Sequence, residues 1–163
     1  MTGTAIISPD GVYRYRLTRR IPCVLRWIKP VMFCMLNPSK ATAEVDDPTI
    51  RRCIGFAKSW CCTELIVVNL FALRATDPKE LLTHPSPVGP ENDDHILRAA
   101  AETKPGGMIV AAWGTHGELY GRDAAVRVLL EQAGYEIFCL GTTKGGFPRH
   151  PLYVRSDMKT GRL

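Results

Sequence analysis

Four short stretches carry side chains suited to chemistry: Asn37-Pro38-Ser39, Asn69-Leu70-Phe71, Trp113-Gly114-Thr115-His116, and Gly141-Thr142-Thr143 leading through Lys144 and Phe147 to Arg149-His150-Pro151. An Asn carboxamide both donates and accepts hydrogen bonds, which suits reading the edge of a base and also positioning a water. The competing reading of Asn37 is that it only satisfies the backbone of a turn, where Asn is common. His116 belongs to the same set, whereas His95 falls on a helix and is expected at the surface. Asp46 and Asp47 are adjacent carboxylates; Asp47 reads as a helix cap, and Asp46 is open to either role. "GTTKGG" lacks the residue order of a phosphate loop, yet its backbone N–H groups and Lys144 offer a place for a phosphate.

Other chemistries are poorly supported. The chain has no Gly-x-Gly-x-x-Gly after its first strand, no Gly-x-x-x-x-Gly-Lys-Ser/Thr and no Gly-x-Ser-x-Gly, so dinucleotide, nucleoside-triphosphate and serine-hydrolase readings fall away. It has six cysteines but no Cys-x-x-Cys spacing, so no metal or iron–sulfur cofactor is expected. No charged-then-apolar leader opens the sequence, and the thiols read as reduced core residues of a cytoplasmic protein. No apolar run reaches the roughly 18 residues that cross a bilayer. The net charge of +5 is compatible with a polyanionic partner without demanding one.

These residues need elements to hold them. At 163 residues, 45% of them hydrophobic and 23% charged, the chain is expected to form one domain over residues 1–163. "AIISPDGVYRYRL" places two β-prone runs around Pro9-Asp10-Gly11, predicting an antiparallel hairpin over residues 4–28 that reaches into "PCVLRWI". "VMFCML", "ELIVVNLF", "GGMIVAAWG" and "YEIFCLG" are continuous apolar runs, the pattern of strands covered on both faces. Between them lie helical patterns: one starting at Asp47-Pro48, one in "DDHILRAAAET" and one in "RDAAVRVLLEQAG" closed by Gly134. The loop over residues 72–90 is long and Pro-rich, with a short helix expected near Lys79 to Leu82 and a polyproline-like "HPSP". Alternation of strands and helices predicts an α/β fold: a three-layer α/β/α sandwich on a mainly parallel central sheet of about four strands, plus the N-terminal β-hairpin. In such a sheet ligands bind beyond the carboxyl ends of the strands, so all four stretches fall on one rim.

The ordered set "MLNPS", "VVNLFALRATDP", "VAAWGTHG" and "PRHPLYVRSD" resembles, over nearly the full length, a family of bacterial and phage proteins of unassigned function. In order and setting these motifs also resemble the uracil-DNA glycosylase superfamily. That resemblance implies that Asn37 positions water, Asn69 reads the base, and His150 stabilises the charge developing on a departing base. Phe71 or Phe147 would supply a stacking face, and Lys144, Arg149 and Arg155 would hold phosphates. Trp113-Gly114 would be a packing landmark. The chain departs from the superfamily pattern at Leu36 and Ser39, in having Leu152-Tyr153 after the His-Pro, and in carrying Asn37 where the most active members have an aspartate. Asn cannot remove a proton, which turns attention to another group such as Asp46.

The leading expectation is hydrolysis of the N-glycosidic bond of a nucleobase in DNA. The alternatives are a non-catalytic module that binds nucleic acid or a modified base, and an enzyme acting on a free nucleoside or nucleotide. DNA is the expected partner, a small nucleoside the alternative, and a membrane is not expected. The sequence leaves the oligomeric state open.

Overall fold

The computed structural model describes residues 3–23, 29–39, 41–104 and 106–163. A hairpin of β1 (Gly3–Ile7) and β2 (Arg14–Arg20) is followed by β3 (Pro30–Met35), α1 (Pro48–Ser59), β4 (Glu64–Asn69), α2 (Glu80–Thr83) and α3 (Asn92–Glu102). The chain continues through β5 (Met108–Ala111), α4 (Arg122–Gln132), β6 (Ile137–Cys139) and β7 (Gly161–Arg162). All seven strands belong to one sheet in the order β1-β2-β4-β3-β5-β6-β7. β4, β3, β5 and β6 pair in parallel, and the outer pairings are antiparallel.

This sheet is wider than the sequence suggests. The hairpin does not stand ahead of the sheet: β2 pairs with β4 from Leu17↔Val67 to Arg20↔Glu64, which satisfies backbone groups that would otherwise lie on an open edge. β7 has two exposed residues and no periodicity to betray it, yet it pairs with β6. The expected extension of the hairpin into residues 24–28 lies outside the described residues.

Every position of β3 is buried because its two pleat faces meet different cores. Met32 and Cys34 join the core completed by Leu81, Ile96, Ala99, Val126 and Leu130 of α2, α3 and α4. Val31, Phe33 and Met35 face the other core with Ile50, Cys53, Phe56 and Ala57 of α1. Each such side chain stabilises by about 1.5–3 kcal/mol when fully buried, so the middle of the sheet anchors the fold. Cys34, Cys53, Cys62 and Cys139 are buried and Cys61 is exposed; all six cysteines are unpaired. No helix among the described residues is long and apolar enough to cross a membrane.

β2 contains an irregularity that matters for function. Ile6 faces Arg16 while Ile7 faces Arg14, so Tyr15 is an extra residue and the pleat changes phase there. Leu17 and Arg19 face the α1 side. Tyr15 and Arg16 both turn to α3, where Tyr15 stacks on His95 at 4.7 Å and Arg16 Nη2 donates to Glu102 at 2.6 Å. His95 is therefore half-buried under an aromatic ring rather than free at the surface. Beyond the bulge, Arg14 returns to the α1 side and donates to the Ala41 carbonyl at 2.6 Å.

Arg19 organises the segment that leads into α1. It is almost wholly buried; its Nε donates to Asp46 Oδ1 at 2.7 Å, its Nη1 to the Thr18 carbonyl and its Nη2 to the Thr42 carbonyl. Gly3 makes room for it, since a Cβ there would sit 2.4 Å from Arg19 Nη1 and 2.8 Å from the Ala43 carbonyl. Removing one partner of a buried ion pair costs about 3–5 kcal/mol. Asp46→Asn, which leaves the buried Arg19 guanidinium without its counter-charge, is expected to lose stability in that range in urea denaturation, and Arg19→Ala, which removes three hydrogen bonds, is expected to be destabilised as well. Equal, small losses in both variants would show that Arg19 does not hold the segment.

Candidate functional site

β3 leads to β4 on one side and, by way of β4 and α3, the chain returns to β5 on the other side of β3. The loops leaving β3 and β5 therefore part at the carboxyl edge of the sheet, which is where open α/β sheets form a ligand crevice. A cleft of about 570 Å³ opens there, lined from four loops by groups that include Asn37, Thr76, His116 and His150.

The end of β3 explains how Asn37 is held. Pro38 has no N–H, so the ladder cannot continue in the ordinary way. Instead the N–H groups of Leu70, Phe71 and Ala75 donate to the carbonyls of Met35, Leu36 and Pro38 at 2.8, 2.9 and 3.0 Å. The Asn37 side chain joins this stitch: Nδ2 donates to the carbonyls of Ala75 at 2.8 Å and Pro38 at 3.1 Å. Two carbonyl partners assign the nitrogen to that side of the amide. Oδ1, with no donor among the described residues, is left as an acceptor on a residue that lines the cleft. The nitrogen thus satisfies the turn, and the oxygen takes no part in it.

α1 positions the next two groups. Asp47 is its N-cap, with Oδ1 accepting from the Ile50 N–H at 2.8 Å, and Pro48 occupies the first turn where no N–H is needed. The same carboxylate lines the cleft. One turn along, Arg52 lies over the Phe56 ring at 5.1 Å and donates to the carbonyls of Pro151 and Val154. It thereby clamps the short turn Pro151–Tyr153, which His150 caps. The Leu152 N–H points at His150 Nδ1 at 3.4 Å, which assigns the proton of the neutral ring to Nε2. Burial lowers the His150 pKa below its ordinary value, and the nearby Asp47 carboxylate opposes that shift. The shift favours the neutral ring, with its proton on Nε2.

The cleft collects Asn37, His116, Lys144, Arg149 and His150 of the residues expected from sequence. His116 and Lys144 are exposed, and Arg149 is steadied by donation from Nε to the Thr142 carbonyl at 2.9 Å. The other five lie elsewhere. Asp46 is turned away onto Arg19. Asn69, 1% exposed, is the last residue of β4 and pairs with Met35, so the pleat puts its carboxamide within the sheet face under α1 rather than on the rim. Neither of its side-chain polar atoms has a partner among the described residues. Phe71 is wholly buried in the α3/α4 core. Phe147 is half-buried and belongs to a turn in which the Thr143 N–H donates to its carbonyl at 2.8 Å. Arg155 is exposed and pairs with Asp157 at 3.0 Å. Trp113 is buried in the same core as Phe71 and reaches the cleft wall, and the chain folds over it at Gly117, where a Cβ would lie 2.1 Å from its ring.

Two charged cleft residues, Asp47 and Arg14, were not among the site residues expected from sequence. Asp47 was recognisable as a cap, and a cap at the carboxyl edge of a parallel sheet faces the crevice, so that signal was present. Arg14 gave none, because only the bulge at Tyr15 turns it to this side. The 72–90 loop contributes Ala75, Thr76 and Pro78 to the cleft and is tied down by Ala72 N–H to the Val88 carbonyl and Tyr13 Oη to the Ser86 carbonyl. Among the described residues no three His, Cys, Asp or Glu side chains are grouped as metal ligands.

A histidine whose folded pKa is depressed binds fewer protons in the native than in the unfolded state. Its contribution to stability is complete above the unfolded value of about 6.5 and is lost as pH falls through the folded value. Melting temperature is therefore expected to fall on acidification below pH ~6.5, and to fall less steeply in His150→Asn, whose Oδ1 still accepts from Leu152. An unchanged pH slope in the variant would contradict a half-buried His150 with a depressed pKa.

Comparison with curated proteins and with solved structures gives no match. The family described as protein of unknown function (DUF1643) matches over residues 14–152, from the Arg14 strand to the turn that His150 caps. The chain belongs to that family.

Proposed function

We propose that this chain hydrolyses the N-glycosidic bond of a nucleobase, in DNA or in a nucleotide, with an active site of the kind the uracil-DNA glycosylase resemblance implies. The observation that carries the reading is the shared cleft of Asn37, Asp47 and His150, which come from three separate segments. Parallel strands with helices on both faces agree with the fold that the resemblance implies. A volume of about 570 Å³ suits a ligand of nucleotide size.

In this reading a water is held between Asn37 Oδ1 and the Asp47 carboxylate. Asp47 takes the proton that Asn37 cannot take, as the water attacks the sugar carbon. His150 Nε2–H donates to an oxygen of the departing base, where negative charge develops; preorganised donors of this sort contribute about 10²–10³ in rate. Lys144 and Arg149 at the rim meet phosphate. Asn69 is withdrawn as the base reader because its carboxamide is sealed under α1, and recognition of the base falls to Ser39, Thr49 and His116. A free nucleotide rather than DNA is favoured by one further observation, a buried arginine that also lines the cleft.

Base release from DNA and nucleotides carrying uracil, hypoxanthine or modified pyrimidines is the assay. Asp47→Asn keeps the helix cap, since Asn caps as well as Asp, and removes the base. It is expected to lower release by about 10²–10⁴ with little change in melting temperature. His150→Asn is expected to lower release by about 10². No release from any substrate, or full activity in Asp47→Asn, would sink the proposal.

Rim contacts separate DNA from free nucleotide. If DNA is the substrate, Lys144→Ala weakens its binding and lowers the slope of log K against log salt by about 1. DNA affinity independent of salt and of Lys144 would leave the free nucleotide.

A further inference from the structure

Arg14 is 2% exposed and lines the cleft. Its Nη1 donates to the Ala41 carbonyl at 2.6 Å, but its buried Nε has no partner among the described residues. A guanidinium so placed is expensive, because a desolvated charge needs both an opposite charge and saturation of its donors. The surroundings do not supply these. Arg19 and Arg74 repel it. Asp47 attracts it without forming an ion pair, and one Asp47 oxygen is already engaged by the Ile50 N–H. Desolvation lowers the Arg14 pKa to about 10, which still leaves it protonated at neutral pH.

The charge in the cleft is also unbalanced. Arg14, Lys144 and Arg149 line it against the single carboxylate of Asp47, and burial disfavours a charge on His150. Two positive charges are left over, the complement of a phosphate monoester, which carries close to two negative charges at neutral pH. An arginine fork also matches phosphate oxygens better than a lysine does.

We propose that Arg14 is the floor of an anion subsite that takes the terminal phosphate of a nucleotide, with the base directed toward Asn37 and His150. The bulge at Tyr15 is the device that builds it: without the phase change, Arg14 would face α3 with Arg16. The subsite deepens the reading of the cleft as a nucleotide site and rests on it for the identity of the organic part. The anion contact itself does not depend on bond cleavage.

The test follows the Arg14 Nε–H resonance in the wild-type protein by ¹H–¹⁵N NMR, which needs no variant to fold. Inorganic phosphate, nucleoside 5′-monophosphates, nucleosides, and oligonucleotides with and without a 5′-terminal phosphate are titrated in turn. The expected result is a shift of that resonance with phosphate, the monophosphates and the 5′-phosphorylated oligonucleotide, and none with nucleosides or the unphosphorylated strand. In parallel, Arg14→Lys is expected to weaken monophosphate binding at least tenfold while leaving nucleoside binding unchanged. An unmoved Nε–H while ligands bind, or monophosphate affinity that Arg14→Lys leaves intact, overturns the subsite and leaves the glycosidase reading standing. A moved Nε–H in a protein that releases no base from any nucleotide supports the subsite and overturns the glycosidase reading instead.

Discussion

A proline three residues beyond the end of the central strand, Pro38 after Met35, is the constraint on which the site depends. β3 is buried along its whole length, so its carbonyls beyond Met35 must be satisfied without a regular ladder. The N–H groups of residues 70, 71 and 75 do this, together with the Asn37 amide nitrogen. The stitch joins the exits of β3 and β4, fixes the wall formed by Ala75 and Thr76, and orients the one amide atom left over. Asn92 Nδ2 and Arg122 Nε reinforce it from α3 and α4 by donating to the carbonyls of Asn69 and Leu70. The backbone bonds of the rim are thus shared between elements.

On that frame α1 acts as an electrostatic lever. Its first residue outside the helix is Asp47, its second turn holds Arg52, and Arg52 holds the turn that presents His150. A carboxylate at a helix N-terminus is favoured by the helix dipole, and here it also sits in reach of both Arg14 and His150. The three groups differ in what burial has done to them. His150 is pushed toward its neutral form, which makes it a donor, while Arg14 keeps its charge in a place where charge is costly. In the hydrolysis proposed above, a carboxylate to activate water, an N–H donor and a cation to take an anion would be complementary parts of one chemistry.

Much of this was legible in the residues and some was not. The apolar runs of β3, β4, β5 and β6 announce strands covered on both faces, and Asp47-Pro48 announces α1, because these signals are local. Strand ends carrying Asn37, His116, Arg149 and His150 follow from the same alternation of strands and helices. Asn69 and Phe71 lie off the cleft for a shared reason: ending a strand says that a residue is near the rim but not which pleat face or core receives its side chain. Asp46 and Asp47 are adjacent carboxylates that differ only in direction, and Arg19, far off in the chain, holds Asp46 away from the cleft that Asp47 lines. Arg14 is invisible to periodicity since a bulge reverses the period itself, and pairing of β2 with β4 and of β7 with β6 depends on edges that no short window contains.

The most direct test of the account is whether one ligand is held by all the segments that form the cleft. Hydrogen–deuterium exchange of the wild-type protein, with and without a saturating nucleoside 5′-monophosphate, reads each segment separately. The account predicts slower exchange together in residues 36–49, 113–117 and 143–154, with β1 and β7 unchanged. Protection confined to other surfaces, or spread evenly over the chain, would contradict the cleft as the functional site.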